Sequence, residues 1–415
     1  MPVGAMAMLA FVAATNRWVS WGDAVHRYHD ADPISYRAIA AAAPGLLQRR
    51  IAEWHAERFI PNYLVGCVAK LLHVGLVPTF RVASVVVAVA ICLVLAALLN
   101  RLPISPLGAL VCLGAFILNP YGLRYFFFGV GRVADLVFIF GAVLAVRGLA
   151  RRAWVSLFMG LMVATAARQT ALPAALTAGA VIVADPTWGP KLERMKLAVS
   201  MVVGPTLAYV LIRIVAAPFS GPSPSLHAMT ILGAGGLNAL LDHFARSAIS
   251  LLSVTALLAA MWWTSSGRGH AAADRMKTDP AVANQLAALG SLLFGASIAL
   301  QPVVLNPAWA EDSEPRLAVL GLAPLVVALA LLFGRLELKR RAQVPTGAVA
   351  ALLGLLAIGS FHHIFTLAGP GGKGQTVVLQ GVVALALGAI ILRIGPTRRQ
   401  VPVAEPTLTQ TRPPV

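Results

Sequence analysis

Apolar runs recur along the whole chain. Their length is near the roughly 18 residues that a membrane-spanning helix needs. Short polar segments separate these runs, and a chain of this kind satisfies its backbone hydrogen bonds within lipid by forming helices. We therefore predict an all-α fold, a polytopic transmembrane helical bundle of about twelve spans. The predicted spans are residues 3–20, 82–100, 104–120, 133–149, 153–168, 170–184, 197–217, 247–264, 285–304, 317–334, 346–365 and 376–393.

The largest polar loop, residues 21–61, follows the first predicted span. Apolar residues recur within it at helical spacing, which predicts an amphipathic helix lying on the outer leaflet. Pro33 suits the first turn of that helix, with Asp32 as its N-cap. The run 62–79 is shorter than a span and is predicted to lie at the membrane surface or to dip into it. The apolar positions of the amphipathic helix are Tyr36, Ile39, Ala40, Ala43 and Leu47.

Composition agrees with a membrane protein and gives the bundle an orientation. The chain is 58% hydrophobic and 12% charged, with a net charge of +17. In such a chain basic residues fix topology and meet anionic lipid head groups, so membrane lipids are the expected partners and nucleic acid is not. Arg and Lys cluster on one side of the predicted spans, which the positive-inside rule makes cytoplasmic. The loops 21–61, 121–132, 218–246, 305–316 and 366–375 are then extracytoplasmic, and both termini are cytoplasmic.

We expect one transmembrane domain over residues 1–394 and a disordered cytoplasmic tail over 395–415, which is rich in Pro, Thr and Gln. Ala, Val, Leu and Gly dominate the chain and Arg outnumbers Lys, as is typical of a GC-rich bacterial genome. The prediction is therefore a multi-pass protein of a bacterial cell membrane, whose oligomeric state the sequence leaves open.

Acidic residues are scarce, sixteen in the whole chain. Two of them, Asp30 and Asp32, stand close together at the head of the first outer loop. A pair of close carboxylates at a membrane surface can bind a divalent cation or accept a proton from a nucleophile. An Asp that directly precedes a helix is more often a cap than a catalyst, and the two roles are compatible.

Two motifs in this region resemble the GT-C superfamily, polytopic glycosyltransferases that use polyprenyl-phosphate sugars as donors. Asp32 begins an Asp-x3-Tyr-x2-Ile-Ala pattern that includes Tyr36, and a Glu-Arg-Phe-Ile-Pro segment follows at residues 57–61. The resemblance implies a hexosyl- or pentosyltransferase in which Asp32 is the catalytic base or positions the acceptor, and Asp30 assists it. It also implies that Arg58 lies near the donor phosphate, and it makes Tyr36 a further candidate.

Later segments extend the resemblance over the layout of the whole chain. Arg168-Gln169-Thr170 looks like an Arg-Gln-Thr found at a similar place in some lipid-linked glucosyltransferases, and Arg316 precedes a span as an outer-loop Arg does in relatives. This implies Arg168 and Arg316 as phosphate-binding residues, with Asp135 as another candidate. Only some family members need a divalent cation, so neither Mg nor Mn is assigned, and the sugar and the acceptor stay open.

Sugar transfer from a polyprenyl phosphate needs a carboxylate to take the acceptor proton and cations to stabilise the leaving phosphate. Arginines predicted at the outer interface can supply the cations, although each could instead reach toward lipid head groups. Arg168 is the strongest candidate because it lies between two short apolar runs, where a charge needs a partner. The arginines of this set are Arg58, Arg124, Arg132, Arg168, Arg246 and Arg316.

Other functions fit a polytopic chain as well: a transporter or lipid flippase, an O-antigen ligase or polymerase-like protein, or a structural membrane protein. A transporter more often places ionisable residues in mid-span, whereas most acids here lie in loops. Ligases usually carry their long outer loop late in the chain, and here it comes first. Convergence of Asp32, Arg168 and Arg316 on one outer cavity is the structural feature that would favour the enzyme.

Overall fold

The computed structural model describes residues 1–26, 32–222, 237–265, 280–304, 314–340 and 343–394. Within these ranges every regular element is a helix, and the only extended pairings are isolated bridges between Asn16 and Thr366 and between Ile51 and Ser220. The predicted all-α fold is confirmed. The tail 395–415, for which disorder was predicted, lies outside the described residues.

Nineteen α-helices follow one another through the described ranges, with three-residue 3-10 turns at Pro186–Trp188, Ala217–Phe219 and Val319–Gly321. In chain order they are α1 (Pro2–Ala14), α2 (Trp21–His26), α3 (Asp32–Ala42), α4 (Glu53–Ala56), α5 (Phe59–Leu71), α6 (Leu76–Leu99), α7 (Pro106–Ile117), α8 (Leu123–Phe128), α9 (Val133–Arg151), α10 (Trp154–Ala167), α11 (Ala171–Ala184), α12 (Lys191–Ala216), α13 (Leu237–Ser265), α14 (Pro280–Ala299), α15 (Gln301–Val304), α16 (Glu314–Ala318), α17 (Leu322–Arg340), α18 (Thr346–Gly359) and α19 (Lys373–Ile394).

Seven helical segments in the described part of the chain are long and apolar enough to cross a membrane. Shorter apolar helices of 10–17 residues pack among them. The first, α1, has 13 residues, about 20 Å of helix against a hydrocarbon core of about 30 Å. Each of the twelve predicted spans contains a helix, but only seven segments within the described ranges have the length of a full crossing. These are Leu76–Leu99, Val133–Arg151, Lys191–Phe219, Leu240–Thr264, Leu286–Val303, Pro315–Leu338 and Lys373–Ile394.

Several predicted boundaries differ from the structure, among them the end of the span 346–365, since α18 ends at Gly359. The run 62–79 is not one helix, because a turn at His73, whose φ is 53°, separates α5 from α6. The last residues of that run belong to α6, so this span begins at Leu76 rather than at 82. Helix α1 ends at Ala14 instead of continuing to 20, because the chain turns to pair with a distant loop: the Arg17 N–H donates to the Phe365 carbonyl at 2.9 Å.

Helices α9 and α10 form an antiparallel pair whose backbones touch. A Cβ atom added at Gly160 would lie 2.3 Å from the backbone nitrogen of Ala145, and one at Gly148 would lie 2.3 Å from that of Leu157. Small residues that let backbones approach are characteristic of helix packing in membranes. The pairing brings the start of α9 and the end of α10 together at one end of the bundle.

The first loop forms a helical layer over that same end. Helix α3 lies where the amphipathic helix was predicted, and its apolar residues Tyr36, Ile39 and Ala40 are buried, but it ends at Ala42, before the predicted positions Ala43 and Leu47. This face packs against protein rather than against the outer leaflet: a Cβ at Gly66 of α5 would lie only 2.1 Å from the Ala40 carbonyl oxygen. An aromatic contact between Phe59 and Phe219, with ring centroids 5.8 Å apart, continues the packing toward the end of α12.

Ionic contacts fasten the first loop to α12. The Arg213 guanidinium donates to the Glu53 carboxylate, and its Nε lies 3.2 Å from Oε1 of Glu57. The Tyr209 hydroxyl donates to the same Glu57 oxygen at 2.7 Å. These contacts hold the segment between α3 and α5 in place above the bundle.

Candidate functional site

The carboxylate of Asp32 is the centre of an ionic network at the covered end of the bundle. Nη1 of Arg132 donates to Oδ2 of Asp32 at 2.5 Å, and Nη1 of Arg316 donates to the same oxygen at 2.9 Å. Nε2 of His55 lies 2.7 Å from the other oxygen, Oδ1. With Tyr125, which contacts both arginines, these residues form what we call the Asp32 cluster.

Tyr125 of α8 holds the two guanidinium groups beside each other. Its hydroxyl accepts from Arg132 at 3.2 Å and from Arg316 at 3.5 Å. The guanidinium carbons also lie 5.3 and 5.8 Å from the centroid of its ring, within the range of cation–π contacts. One aromatic side chain therefore orients both cations that bind Asp32.

Local backbone structure explains how Asp32 and Arg132 meet. Asp32 is the first residue of α3, and both oxygens of its carboxylate make tertiary contacts. Gly131 has φ +99°, a left-handed conformation that favours glycine. A Cβ at Gly131 would lie 3.6 Å from Cα of Pro33, so the loop before α9 runs directly against the first turn of α3.

His55 is connected on both ring nitrogens. Its Nδ1 lies 3.0 Å from Oγ of Ser35, one turn after Asp32 on the same helix, while its Nε2 contacts Asp32. The ring packs edge-on against that of Tyr36, with centroids 5.3 Å apart. These contacts fix the orientation of the imidazole, which in turn fixes the carboxylate.

The electrostatics of Asp32 are a balance that favours the ionised form. Burial by itself would raise the pKa of this carboxyl, but the charges of Arg132 and Arg316 and the hydrogen bond from His55 outweigh burial. The result is a pKa well below the usual value of 3.8. At neutral pH the carboxylate is therefore ionised and, while both arginines bind it, a weak base.

A second ion pair lies beside the cluster. Arg168, just after α10, donates to Asp135 in the first turn of α9, and both side chains are buried. Arg168 also interacts electrostatically with Asp32, Arg316 and Arg58. The guanidinium of Arg58 donates in turn to the hydroxyl of Tyr36 at 2.9 Å.

The structure thus brings together every predicted site residue that it describes. They come from the first loop, from the first turn of α9, from the residue that follows α10 and from α16. Asp30, the predicted helper of Asp32, lies outside the described residues. The predicted site residues that meet are Asp32, Tyr36, Arg58, Asp135, Arg168 and Arg316.

Positive charge exceeds negative charge in this region. Among these described side chains, Arg132 and Arg316 bind Asp32, Arg168 binds Asp135, and Arg58 lies near Arg168 and the carboxylate of Glu57. All four arginines are buried. The Nε atoms of Arg58 and Arg168 are buried and have no hydrogen-bond partner within the described ranges. Buried guanidinium groups in excess of carboxylates suit an anion such as a phosphate, which they bind through charge-assisted hydrogen bonds.

The described residues hold no group of three or more His, Cys, Asp or Glu side chains placed to bind a metal ion. Both oxygens of Asp32 already contact protein donors. The donor set within these ranges therefore fits an anion held by arginines better than a Mg or Mn ion held by carboxylates.

An apolar groove begins beside the cluster. It has a volume of about 400 Å³ and lies between α5, α6 and α9, and its lining residue Val133 directly follows Arg132. Leu64 and Val82, on either side of the groove, are more than half exposed at the surface of the bundle. The groove can therefore take a hydrocarbon chain from the side while a charged end reaches the arginines.

The sequence did not single out three members of the Asp32 cluster. Arg132 was only one of several interface arginines, and His55 and Tyr125 were not predicted at all. The available signal for His55 was its position in the polar segment that also contains Arg58. Of the remaining interface arginines, Arg124 bonds to Ser360 at 2.6 Å inside the bundle, and Arg246 pairs with Asp242 on its own helix.

Comparison of the chain with protein-family models, with curated proteins and with solved structures finds no match. Its function has to be argued from the chemistry of the site.

Proposed function

We propose that this chain is an integral membrane glycosyltransferase of the GT-C type. It transfers a hexose or pentose from a polyprenyl-phosphate donor to a hydroxyl of a lipid or glycan acceptor at the extracytoplasmic face. The observation that carries the proposal is the partly buried carboxylate of Asp32, bound by the buried side chains of Arg132 and Arg316 in a region with excess positive charge. Such a site contains both a proton acceptor and a phosphate-binding group within hydrogen-bond distance of each other.

The reaction uses these groups in a defined order. The donor phosphate takes hydrogen bonds from Arg132 and Arg316, which weakens their hold on Asp32 and raises the basicity of its carboxylate. Asp32 then removes the proton of the acceptor hydroxyl as that oxygen forms a bond to the anomeric carbon. The bond between this carbon and the phosphate oxygen breaks, and its electron pair goes to the polyprenyl phosphate, whose charge the arginines stabilise.

The apolar groove between α5, α6 and α9 supports a lipid-linked donor over a soluble one. Its lining is made of residues such as Leu64, Val68 and Val86, and it includes Val133, which directly follows Arg132 in the chain. A polyprenyl phosphate matches this arrangement, because its long hydrocarbon chain suits the apolar groove and its anionic end suits the arginines.

The membrane orientation is part of the proposal. The segments that contribute Asp32, Arg132, Arg168 and Arg316 meet at one end of the bundle, as expected for loops on one side of alternating spans. We assign this end to the outside of a bacterial cell membrane, because the clustered Arg and Lys residues fall on the other predicted side. Both termini are then cytoplasmic, and the short apolar helices complete about twelve crossings with the seven long ones.

A transfer assay tests this function. The full chain is reconstituted in liposomes and given polyprenyl-phosphate sugars labelled in the sugar, one hexose or pentose at a time, with an extract of bacterial envelope lipids as acceptor. We expect label to move to the acceptor, and we expect Asp32→Asn to reduce kcat by about a hundredfold or more, since it removes the base.

Asp23→Asn is the matched control, because Asp23 is an exposed acid of the same loop and, among the described residues, bonds to Ser20 at 2.7 Å. It should transfer like the unmodified protein. Undiminished transfer by Asp32→Asn would contradict the proposal. Binding of the donor without any transfer, together with its movement between leaflets, would instead favour a lipid transporter.

A further inference from the structure

A second cavity lies on the other side of α3 from the Asp32 cluster. It has a volume of about 450 Å³ and is bordered by α2, by α3 and by the segment that follows α3. Ile34 and Arg37 line it, whereas Asp32, Ser35 and Tyr36 of the same helix face the cluster. The volume is within the range of about 300–1,000 Å³ that is usual for small-molecule sites. Nothing in the proposed transfer reaction uses this cavity.

The cavity has donors suited to an anion. The guanidinium of Arg37 lies 4.9 Å from the centroid of the Trp21 ring, which holds it at the wall, and Arg49 lines the opposite part. The indole Nε1 of Trp21 is buried and has no hydrogen-bond partner among the described residues, although the Trp21 side chain borders the cavity. None of the described lining residues carries a carboxylate.

Apolar surface accompanies these donors. Pro33, Ile34 and Ala41 line the cavity between the two arginines. Ile34 is 46% exposed. A ligand that satisfies the whole site therefore has an anionic group and a hydrocarbon part next to each other, as in a phospholipid. Basic residues with apolar neighbours and a tryptophan are typical of protein surfaces at the lipid head-group level.

We propose that this cavity binds the phosphate-bearing head group of an anionic phospholipid. Arg37 and Arg49 bind the phosphate, the indole N–H of Trp21 donates to a head-group oxygen, and the first acyl carbons lie on Ile34. Because α3 presents Asp32 on its other side, a bound lipid also braces the helix that carries the centre of the Asp32 cluster. The assignment requires only that the chain lies in a membrane and does not depend on sugar transfer.

Binding is tested without turnover, on the full chain purified in a neutral detergent. Its thermal unfolding is followed while dihexanoyl phosphatidylglycerol, dihexanoyl phosphatidylcholine or inorganic phosphate is added at constant ionic strength. We expect phosphatidylglycerol alone to raise Tm in a saturable way. Arg49→Gln and Arg37→Gln should each weaken its apparent Kd by about tenfold, the loss expected for one charge-assisted hydrogen bond.

Arg50→Gln is the matched control, because Arg50 is exposed beside Arg49 and does not line the cavity. It should leave the Kd unchanged. Arg316→Gln should also leave it unchanged, which separates this cavity from the Asp32 cluster. Each variant is compared with the unmodified chain by circular dichroism and by its Tm without lipid. The proposal is overturned if Arg37→Gln and Arg49→Gln bind like the unmodified chain, if phosphatidylcholine binds equally well, or if inorganic phosphate alone reproduces the effect.

Discussion

Asp32 is a partly buried residue that keeps its negative charge because its charged neighbours outweigh the cost of burial. Burial disfavours the carboxylate, and Arg132, Arg316 and His55 more than compensate for that cost. The same contacts make it a weak base in the resting protein. An anionic donor that competes for the two arginines would relieve this restraint, so substrate binding and activation of the base become one event.

The pH dependence of transfer reports this coupling. The pKa of Asp32 is lowered in the free protein, so its carboxylate and the stability that it contributes persist as pH falls and are lost only near that lowered value. With donor phosphate on the arginines, the pKa rises. We therefore expect the acidic limb of kcat, which reports the bound state, at higher pH than the acidic limb of kcat/KM. Initial rates measured over a pH series give the positions of both acidic limbs. An acidic limb of kcat at lower pH than that of kcat/KM would contradict the mechanism.

His55 should act as a positioning residue for Asp32. Gln at position 55 keeps a nitrogen donor near Oδ1 of Asp32, whereas Phe keeps the ring packing and removes the donor. We expect His55→Phe to lower kcat by about ten- to hundredfold with the KM for donor unchanged. His55→Gln should recover most of that loss. Equal kcat for the Phe variant and the unmodified chain would remove His55 from the mechanism.

Some of these residues were predictable from the sequence and others were not. Asp32, Arg168 and Arg316 could be found because an ionisable side chain beside apolar spans needs a reason to be there. His55 and Tyr125 have no such local signal, since His and Tyr are ordinary in an interfacial segment. Their role becomes visible only in the folded structure, where His55 contacts Asp32 across 23 residues and Tyr125 contacts Arg316 across 191.

At the level of elements, hydrophobic length predicted the helices well and their ends less well. The apolar pattern continues through residues 72–75, so it does not reveal the turn at His73 that separates α5 from α6. The amphipathic pattern of α3 was read correctly, but it does not distinguish a lipid surface from the protein surface of α5. The packing of α3 on α5 depends on Gly66, which lets the backbones of these two helices touch.

The close pairing of α9 with α10 should be essential for the site, because it places Asp135 next to Arg168. Gly160→Leu puts a side chain where a Cβ would already lie 2.3 Å from the nitrogen of Ala145. We expect a loss of stability of about 1–3 kcal/mol, typical of overpacking, and reduced transfer. Gly388→Leu on α19 is the matched control, since a Cβ there meets no atom within 4 Å. Thermal unfolding of both variants gives the comparison, and an equal Tm would show that the helix pair can separate without cost.

Over the whole molecule, segments that are far apart in sequence converge at one end of the bundle. Arg316 reaches Asp32 across 284 residues, and Arg132 reaches it across 100. The alternation of predicted spans placed these segments on one side, and their convergence is what that alternation requires. The number of crossings is less predictable, because a helix of 12–14 residues such as α7 or α10 crosses only where tilt and neighbouring helices allow it.

The central claim is that the Asp32 cluster binds the phosphate of a lipid donor whose tail lies in the adjacent groove. Its most direct test is the Tm of the purified chain with polyprenyl phosphate compared with the uncharged polyprenol of the same length. We expect polyprenyl phosphate to raise Tm by clearly more than polyprenol does, and we expect Arg316→Gln to remove that difference because the phosphate loses a ligand. Equal stabilisation by the two lipids, or an undiminished difference in Arg316→Gln, would contradict the claim.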